Sequence, residues 1–176
     1  MRTILLAGAV AAFALPAAAM AGQATTPNPK SPGQQCRAER TAMGEVNFKS
    51  TYGGKSNAFG VCVSRHARVQ DSNTANAARR CRAEAADSNF ASAHGGQTFA
   101  QFYGTGPNDR NAHGRCVSGK AKEATAEQQQ ARLKAARTCR TEQRQDAAAF
   151  KATHGTNAAR SNAFGRCVSK EAQAQS

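Results

Sequence analysis

Large apolar side chains are scarce in this chain of 176 residues. Tryptophan is absent, and after residue 21 the chain has no isoleucine, one leucine and only 17 large apolar side chains in 155 residues. The net charge is +13, or +12 without residues 1–21, which hold one arginine and no acid. So little apolar surface cannot by itself offset the conformational entropy lost on folding. Cross-links are therefore expected to hold the fold together.

Motifs of the common catalytic and cofactor sites are also absent. The chain has no P-loop, no dinucleotide-binding glycine motif and no G-x-S-x-G. Its four histidines form no H-x-x-x-H pair, so the ligand spacing of a zinc or haem site is missing. They are His66, His94, His113 and His154. The sequence favours a protein that is not an enzyme and has no cofactor or metal.

Residues 1–21 have the three parts of a secretory signal: a positive start at Arg2, an apolar stretch and a small-residue cleavage site. An uncleaved membrane anchor is the alternative, but the stretch is rich in alanine and contains a proline. We expect cleavage after Ala21, a secreted or extracytoplasmic location and no transmembrane anchor. Residues 22–35, rich in proline, threonine, serine and glutamine, are expected to form a disordered leader.

Three segments share one opening and one closing motif. Each opens with C-R-x-E and closes with N-A-[FH]-G-x-C-V-S. Repeat one covers residues 36–68, repeat two 77–120 and repeat three 139–170, followed by a tail at 171–176. Residues 121–138 lack glycine and proline, which predicts a helical connector. Between repeats one and two, the polar run at 71–74 predicts a turn or a helix restart.

A further motif, F-x-x-x-[YH]-G, lies inside every repeat, and repeat two contains it twice. Its glycine follows Tyr52 in repeat one, Tyr103 in repeat two and His154 in repeat three. A glycine in this context is typical of the left-handed residue that ends a helix. Each repeat is therefore expected to place a helix end at this motif.

The opening and closing motifs resemble repeats in a group of uncharacterised secreted bacterial proteins. The resemblance covers nearly all of residues 36–169, and it implies export and repetition but no activity. Repeat two departs from the pattern at His113, where the other repeats have Phe59 and Phe164.

The predicted fold is mainly α, with three tandem helical hairpins. Asn57, Asn111 and Asn162 are expected to be N-caps whose side chains accept a backbone N–H of the second helix. Phe59 and Phe164 lie three residues before a closing cysteine, so they share its helix face and are expected to pack with it.

The six cysteines are expected to form disulfides, since an exported chain folds in an oxidising compartment. One pair per repeat predicts three bonds. These join Cys36 to Cys62, Cys81 to Cys116, and Cys139 to Cys167. The alternative links Cys62 to Cys81 and Cys116 to Cys139 across the repeat junctions.

Glu39, Glu84 and Glu142 lie three residues after the opening cysteines, on the same helix face. One interpretation is structural: each carboxylate receives the N–H groups of the asparagine-capped helix, or an arginine. The other makes it a ligand or catalytic acid, but no second carboxylate or histidine is evident in register beside it. We expect the structural role.

The high positive charge has two interpretations. It can simply keep an exported protein soluble, or it can attract an anionic cell-wall polymer or another polyanion through arginine and lysine. We expect a non-enzymatic binding or structural module with a basic surface for anionic envelope material. The alternative is a secreted enzyme or enzyme inhibitor that uses the variable loops at 53–56, 104–110 and 155–161.

Overall fold

The computed structural model describes residues 28–54 and 56–175. The predicted signal at 1–21 and the first part of the leader, 22–27, lie outside the described residues. Within them the chain forms eight α-helices and no strand. In chain order these are α1 (Pro32–Met43), α2 (Glu45–Thr51), α3 (Ala58–Ala86), α4 (Phe90–Ala93), α5 (Phe99–Tyr103), α6 (Ala112–Gln145), α7 (Ala147–His154) and α8 (Ala163–Gln173). The predicted mainly α class is confirmed.

Three disulfides close the three repeats, as predicted. The bonds are Cys36–Cys62, Cys81–Cys116 and Cys139–Cys167, and each joins Cα atoms 6.0 Å apart. The cross-repeat alternative is therefore wrong. Each bond joins the opening helix of a repeat to its closing helix, so every repeat is a helical hairpin cross-linked by one disulfide. Three disulfides are typical of proteins that fold in an oxidising, extracytoplasmic compartment.

The leader enters the fold earlier than expected. Helix α1 begins at Pro32, where Ser31 accepts the backbone N–H of Gln34 and the Gln34 side chain accepts the N–H of Ser31. This reciprocal capping, with proline at the first helical position, is a strong helix start. The leader expectation is wrong from Pro32 onward, and Gln35 is fully buried.

The turn expected at residues 71–74 is not formed, because α3 runs through them without a break. Asn73 is buried there, and its amide donates to Thr125 Oγ1 and Gln128 Oε1, both at 3.1 Å. Polar side chains of this kind disturb a helix when they compete for its backbone groups. Here the partners on α6 satisfy the amide, so the helix continues.

Helices α3 and α6 are shared between repeats and lie side by side in opposite directions. Asn73 contacts Thr125, and further along α3 Cys81 bonds to Cys116, nearer the start of α6. Their 29 and 34 residues give lengths of about 43 and 51 Å. The predicted connector at 121–138 is the middle of α6. Repeat two therefore lies at one end of the pair, and repeats one and three lie at the other.

Repeats one and three share one apolar core. Phe48, Phe150 and Phe164 are each 2% exposed and belong to a single buried cluster with Tyr52, Val168 and both repeats' disulfides. Phe59 is only partly buried at the edge of this cluster. Thr51 of α2 lies against Gly165 of α8, where a Cβ would come within 3.5 Å of Thr51 Cα. The two repeats thus bury apolar surface that neither could bury alone.

Repeat two keeps a separate aromatic cluster built from α4 and α5. Phe90 packs against Phe99 and Phe102 edge to face and stacks on His94 with ring centroids 3.8 Å apart. Phe102 is 42% exposed, and His113 is exposed in the position where Phe164 is buried. The departure from the repeat pattern at His113 therefore coincides with the loss of the buried aromatic contact that Phe164 makes in repeat three.

The three asparagines lie at the predicted N-cap positions but have different partners. None of their side chains accepts an N–H of its own helix. Asn111 Oδ1 instead accepts the backbone N–H of Thr105 at 3.2 Å, and its amide donates to Thr105 Oγ1. Asn162 makes the same pair of bonds to Thr156. The asparagines of repeats two and three therefore hold the preceding loop, and the capping prediction is wrong.

The glycines after the F-x-x-x-[YH] motif are present for two different reasons. Gly53 has φ +102°, which fits the predicted left-handed helix end. Gly104 and Gly155 have φ −71° and −80°, so that prediction is wrong for them. At Gly155 a Cβ would lie 2.5 Å from Arg160 Cβ, so the site has no room for a side chain.

Candidate functional site

Each glutamate of the C-R-x-E motif is bound by the aromatic residue of the F-x-x-x-[YH]-G motif in the same repeat. The Tyr52 hydroxyl donates to Glu39 Oε2, and the Tyr103 hydroxyl donates to Glu84 Oε2 at 3.0 Å. In repeat three, His154 Nε2 lies 2.8 Å from Glu142 Oε1. Both motifs were visible in the sequence, so the partner that recurs in register was there to be found. The pairing was not predicted, because no local spacing rule links a side chain of one motif to a side chain of the other.

A basic residue one helical turn after the closing cysteine completes two of the three sites. His66 Nε2 lies 2.8 Å from Glu39 Oε1, and Lys120 Nζ lies 2.9 Å from Glu84 Oε1. Repeat three has Glu171 at this position, so its Glu142 keeps only the histidine from the first motif. The carboxylates thus bind side chains. The structural interpretation offers two partners, the backbone N–H groups of the asparagine-capped helix or an arginine, and the first of these is not observed among the described residues.

Repeat one has the most complete of these sites, which we call the Glu39 network: Glu39, Tyr52, His66 and Arg132. Arg132 belongs to α6 and is 93 residues from Glu39 in the chain. Its Nε donates to Glu39 Oε1 at 3.1 Å and its Nη2 donates to Tyr52 at 2.9 Å. The Glu39 side chain is 0% exposed. Gln35, one turn earlier, adds a donor at 3.0 Å.

The electrostatics of the Glu39 network favour a charged carboxylate and a neutral phenol. Burial alone would raise the pKa of Glu39, but the hydrogen bond from His66 and the charge of Arg132 outweigh it and hold the pKa far below its usual range. Burial raises the pKa of Tyr52 well above its usual value, and the charge of Glu39 adds to that effect against the opposing charge of Arg132. Acid–base catalysis needs a pKa near the operating pH. Both shifts move these groups away from that range, which favours the structural interpretation of Glu39.

Glu84 in repeat two follows the same logic more weakly. Partial burial acts to raise its pKa, but hydrogen bonds from Lys120 and Tyr103 lower it overall. Its side chain is 30% exposed, against 0% for Glu39. Solvent screens this pair, so its contribution to stability is smaller.

A pocket of about 320 Å³ lies beside the Glu39 network, between α3, α6 and α8. We call it the α3–α8 pocket. Its lining residues are Arg65, His66, Val69, Gln128, Gln129, Ala131, Arg132, Ser169, Ala172 and Gln173. Arg65 also lies over the Tyr52 ring, with its guanidinium carbon 5.0 Å from the ring centroid. The pocket is therefore polar at the network and apolar at the small side chains.

A second surface, the arginine groove, has a volume of about 530 Å³ and lies between α1 and α6. Its lining residues are Ala38, Thr41, Ala42, Leu133, Arg137, Arg140, Thr141 and Arg144. Arg140 donates to the carbonyl oxygens of Thr41 and Ala42, both at 3.3 Å. The side chains of Arg137 and Arg144 make no ion pair or hydrogen bond with any described residue.

Two groups of potential metal ligands occur within the described residues. One contains Cys36, Cys62 and His66, and the other contains Glu142, His154 and Cys167. The cysteines are oxidised in disulfides and offer no thiolate, which is the form that binds metal. The remaining histidines lie elsewhere: His94 stacks on Phe90, and His113 is at the surface of α6. The donors of these groups therefore do not fit a metal site while the disulfides are intact.

Comparisons of the chain with family models, with characterised proteins and with solved structures find no match. The resemblance to secreted repeat proteins stays a prediction.

Proposed function

We propose that the chain is an exported, non-enzymatic binding module whose basic surface contacts an anionic polymer of the cell envelope. The positive charge is mostly uncompensated in the fold. Among the described residues, the cations in ion pairs within 4 Å are Arg40, Lys49, His66, Lys120, Arg132 and His154. The chain has 24 lysines and arginines in total against 11 acids. Most of the charge therefore faces solvent, where it can meet a polyanion.

The arginine groove is the observation that supports this proposal most directly. Arg137, Arg140 and Arg144 follow one face of α6 at helical spacing, so their Cα atoms extend over about 10 Å along the helix. No acidic side chain lines the groove. Arginine binds phosphate and carboxylate groups through parallel N–H bonds. A row of such groups suits an extended anionic chain better than a single small anion.

Export is the other part of the proposal. It is supported by the signal-like residues 1–21 and by three disulfides in the described fold. In the described residues no helix has the length and hydrophobicity needed to cross a membrane. The extracytoplasmic polymers that carry dense negative charge then become the relevant partners.

The test is a titration of the oxidised chain without residues 1–21 at several salt concentrations. The ligands are a cell-wall phosphodiester polymer, duplex DNA, and vesicles with and without an anionic lipid. We expect binding that weakens steeply with salt, with the cell-wall polymer bound most tightly. Tightest binding to DNA or to anionic vesicles would replace the proposed partner. No binding at low salt would refute the proposal.

A matched pair of variants tests the groove itself. The double variant Arg137→Gln/Arg144→Gln removes two groove charges. The control, Arg79→Gln/Arg82→Gln, removes two exposed charges near the C-terminal end of α3, away from the groove. The groove variant is expected to bind more weakly. The slope of log affinity against log salt concentration should become shallower by about one unit per lost phosphate contact. The control should leave most of the affinity. Equal losses in both variants would show that the charge acts diffusely and that the groove is not the site.

A further inference from the structure

The α3–α8 pocket is a built cavity that the polyanion proposal does not use. It lies beside the Glu39 network, whereas the arginine groove is formed with α1. Its walls join repeat one to the rest of the fold: α3 contributes one side, and α6 and α8 of repeat three contribute the others. Its volume of about 320 Å³ is at the small end of the usual range of ligand sites.

The charges around the pocket leave one positive charge without a partner. Arg132 is matched by Glu39 on its buried side, with N–O distances of 3.1 and 3.4 Å. Arg65 forms no ion pair within 4 Å in the described chain and is held over the Tyr52 ring by a cation–π contact. No acidic side chain lines the pocket. With histidine counted as neutral, the lining carries a single excess charge, which suits a monoanion better than a phosphate dianion.

A buried polar ring also faces this space. The His66 side chain is 5% exposed and lines the pocket. Its Nε2 is paired with Glu39 Oε1 at 2.8 Å, whereas its Nδ1 forms no hydrogen bond with any described residue. Polar groups of buried side chains are normally satisfied, so a ring nitrogen without a protein partner on a residue that lines a cavity is available to a polar ligand group.

The other side of the pocket is apolar. Val69, Ala131 and Ala172 come from three different helices and provide small hydrocarbon surfaces. Ligand sites typically combine such a surface with a few polar groups that fix orientation. A ligand that suits both sides has one anionic head and a short hydrocarbon body.

We propose that the α3–α8 pocket binds a small organic monocarboxylate. Arg65 contacts the carboxylate, His66 provides a further polar contact, and Val69, Ala131 and Ala172 cover the hydrocarbon part. This site does not depend on polymer binding at the arginine groove, so either activity can be present without the other.

The experiment is a titration of the ¹⁵N-labelled, oxidised chain with hexanoate, hexanol and acetate, followed by amide chemical shifts. Hexanoate is expected to saturate, with shifts centred on residues 65–69, 128–132 and 169–172. Hexanol lacks the charge and acetate lacks the hydrocarbon body. The affinity of each should therefore be lower than that of hexanoate by about ten-fold or more. Hexanoate shifts that do not saturate, or that spread over the whole basic surface, would overturn the proposal.

Two pocket variants and one control complete the test. Arg65→Gln should weaken hexanoate binding by about ten-fold or more, the size of one charge-assisted hydrogen bond. Ala131→Phe should abolish binding by filling the pocket while leaving every charge in place. The control, Arg68→Gln, removes the same charge one turn later on α3, outside the pocket lining. Equal losses for Arg65→Gln and Arg68→Gln, or full binding by Ala131→Phe, would refute the site.

Since Arg65 also packs on Tyr52, the stability of the Arg65→Gln variant must be measured separately from its ligand binding. Ala131→Phe does not touch that contact, and it must lose hexanoate binding with an unchanged thermal midpoint for the proposal to stand. Polymer binding at the arginine groove should be unaffected by Ala131→Phe. Failure of the pocket and failure of the groove are thus distinguishable in the same preparation.

Discussion

Replacing the three equivalent glutamates one at a time tests the central electrostatic argument. Glu39→Gln, Glu84→Gln and Glu142→Gln each remove one negative charge at the same position of a repeat and nearly keep the side-chain shape. The surroundings differ: the three side chains are 0%, 30% and 43% exposed. The position of the glutamate in the motif is therefore the same in all three variants. What differs is the burial of its side chain and the side chains that contact it.

The expected costs follow from burial and from the groups left unpaired. Glu39→Gln leaves Arg132 and the ring of His66 without their carboxylate, and breaking such a buried pair costs about 3–5 kcal/mol. Glu84→Gln and Glu142→Gln break partly exposed pairs, so each should cost about 1 kcal/mol or less. For a chain of this size, Glu39→Gln should lower the thermal midpoint by about 6–20 °C.

The assay is urea unfolding of each oxidised variant at neutral pH and low salt, with thermal melts as a second measure. Glu45→Gln is the control, since Glu45 is 54% exposed and pairs only with surface cations. It should be nearly neutral. If all three repeat variants lose the same free energy, or if Glu39→Gln matches the control, the reasoning from burial is wrong.

Three more predictions follow from the same contacts. The pKa of Glu39 is lower in the folded chain than in the unfolded chain. The stabilisation by the charged carboxylate is therefore complete above the unfolded pKa of about 4.3 and is lost progressively as the pH falls below that value. Urea midpoints at pH 7 and pH 3 should differ more for the wild type than for Glu39→Gln. Gly155→Ala should destabilise by about 1–3 kcal/mol because its Cβ would collide with Arg160, whereas Gly119→Ala, in open space within α6, should stabilise by about 0.5–1 kcal/mol; thermal melts of the two variants should shift in opposite directions. Replacing the Cys81–Cys116 pair by serine should cost about 3.5–4 kcal/mol on the chain-entropy model, and amide hydrogen exchange should show the loss of protection concentrated in α4, α5 and the start of α6.

Local properties of the chain could be predicted because their causes lie within a few residues. The scarcity of large apolar groups and the six cysteines indicate a cross-linked fold, and one cysteine pair per repeat predicted the disulfides that the structure has. The connector was predicted for the same reason, since a run without glycine or proline has no local cause to break. Asn73 shows where this reasoning fails: its polar side chain predicted a turn, but its partners Thr125 and Gln128 are more than 50 residues away.

The sequence by itself determined the helical hairpins, their covalent closure and the position of one glutamate in each. It could not rank those glutamates by burial, because the groups that cover Glu39, such as Arg132, lie far from it in the chain. Only the tertiary structure decided that repeats one and three share a core, that Arg132 reaches Glu39 across 93 residues, and that α8 forms one wall of a pocket beside them. The physical reason is that hairpin formation depends on contacts within a repeat, whereas burial of Glu39 depends on which other helix covers it. That choice belongs to the packing of the whole chain.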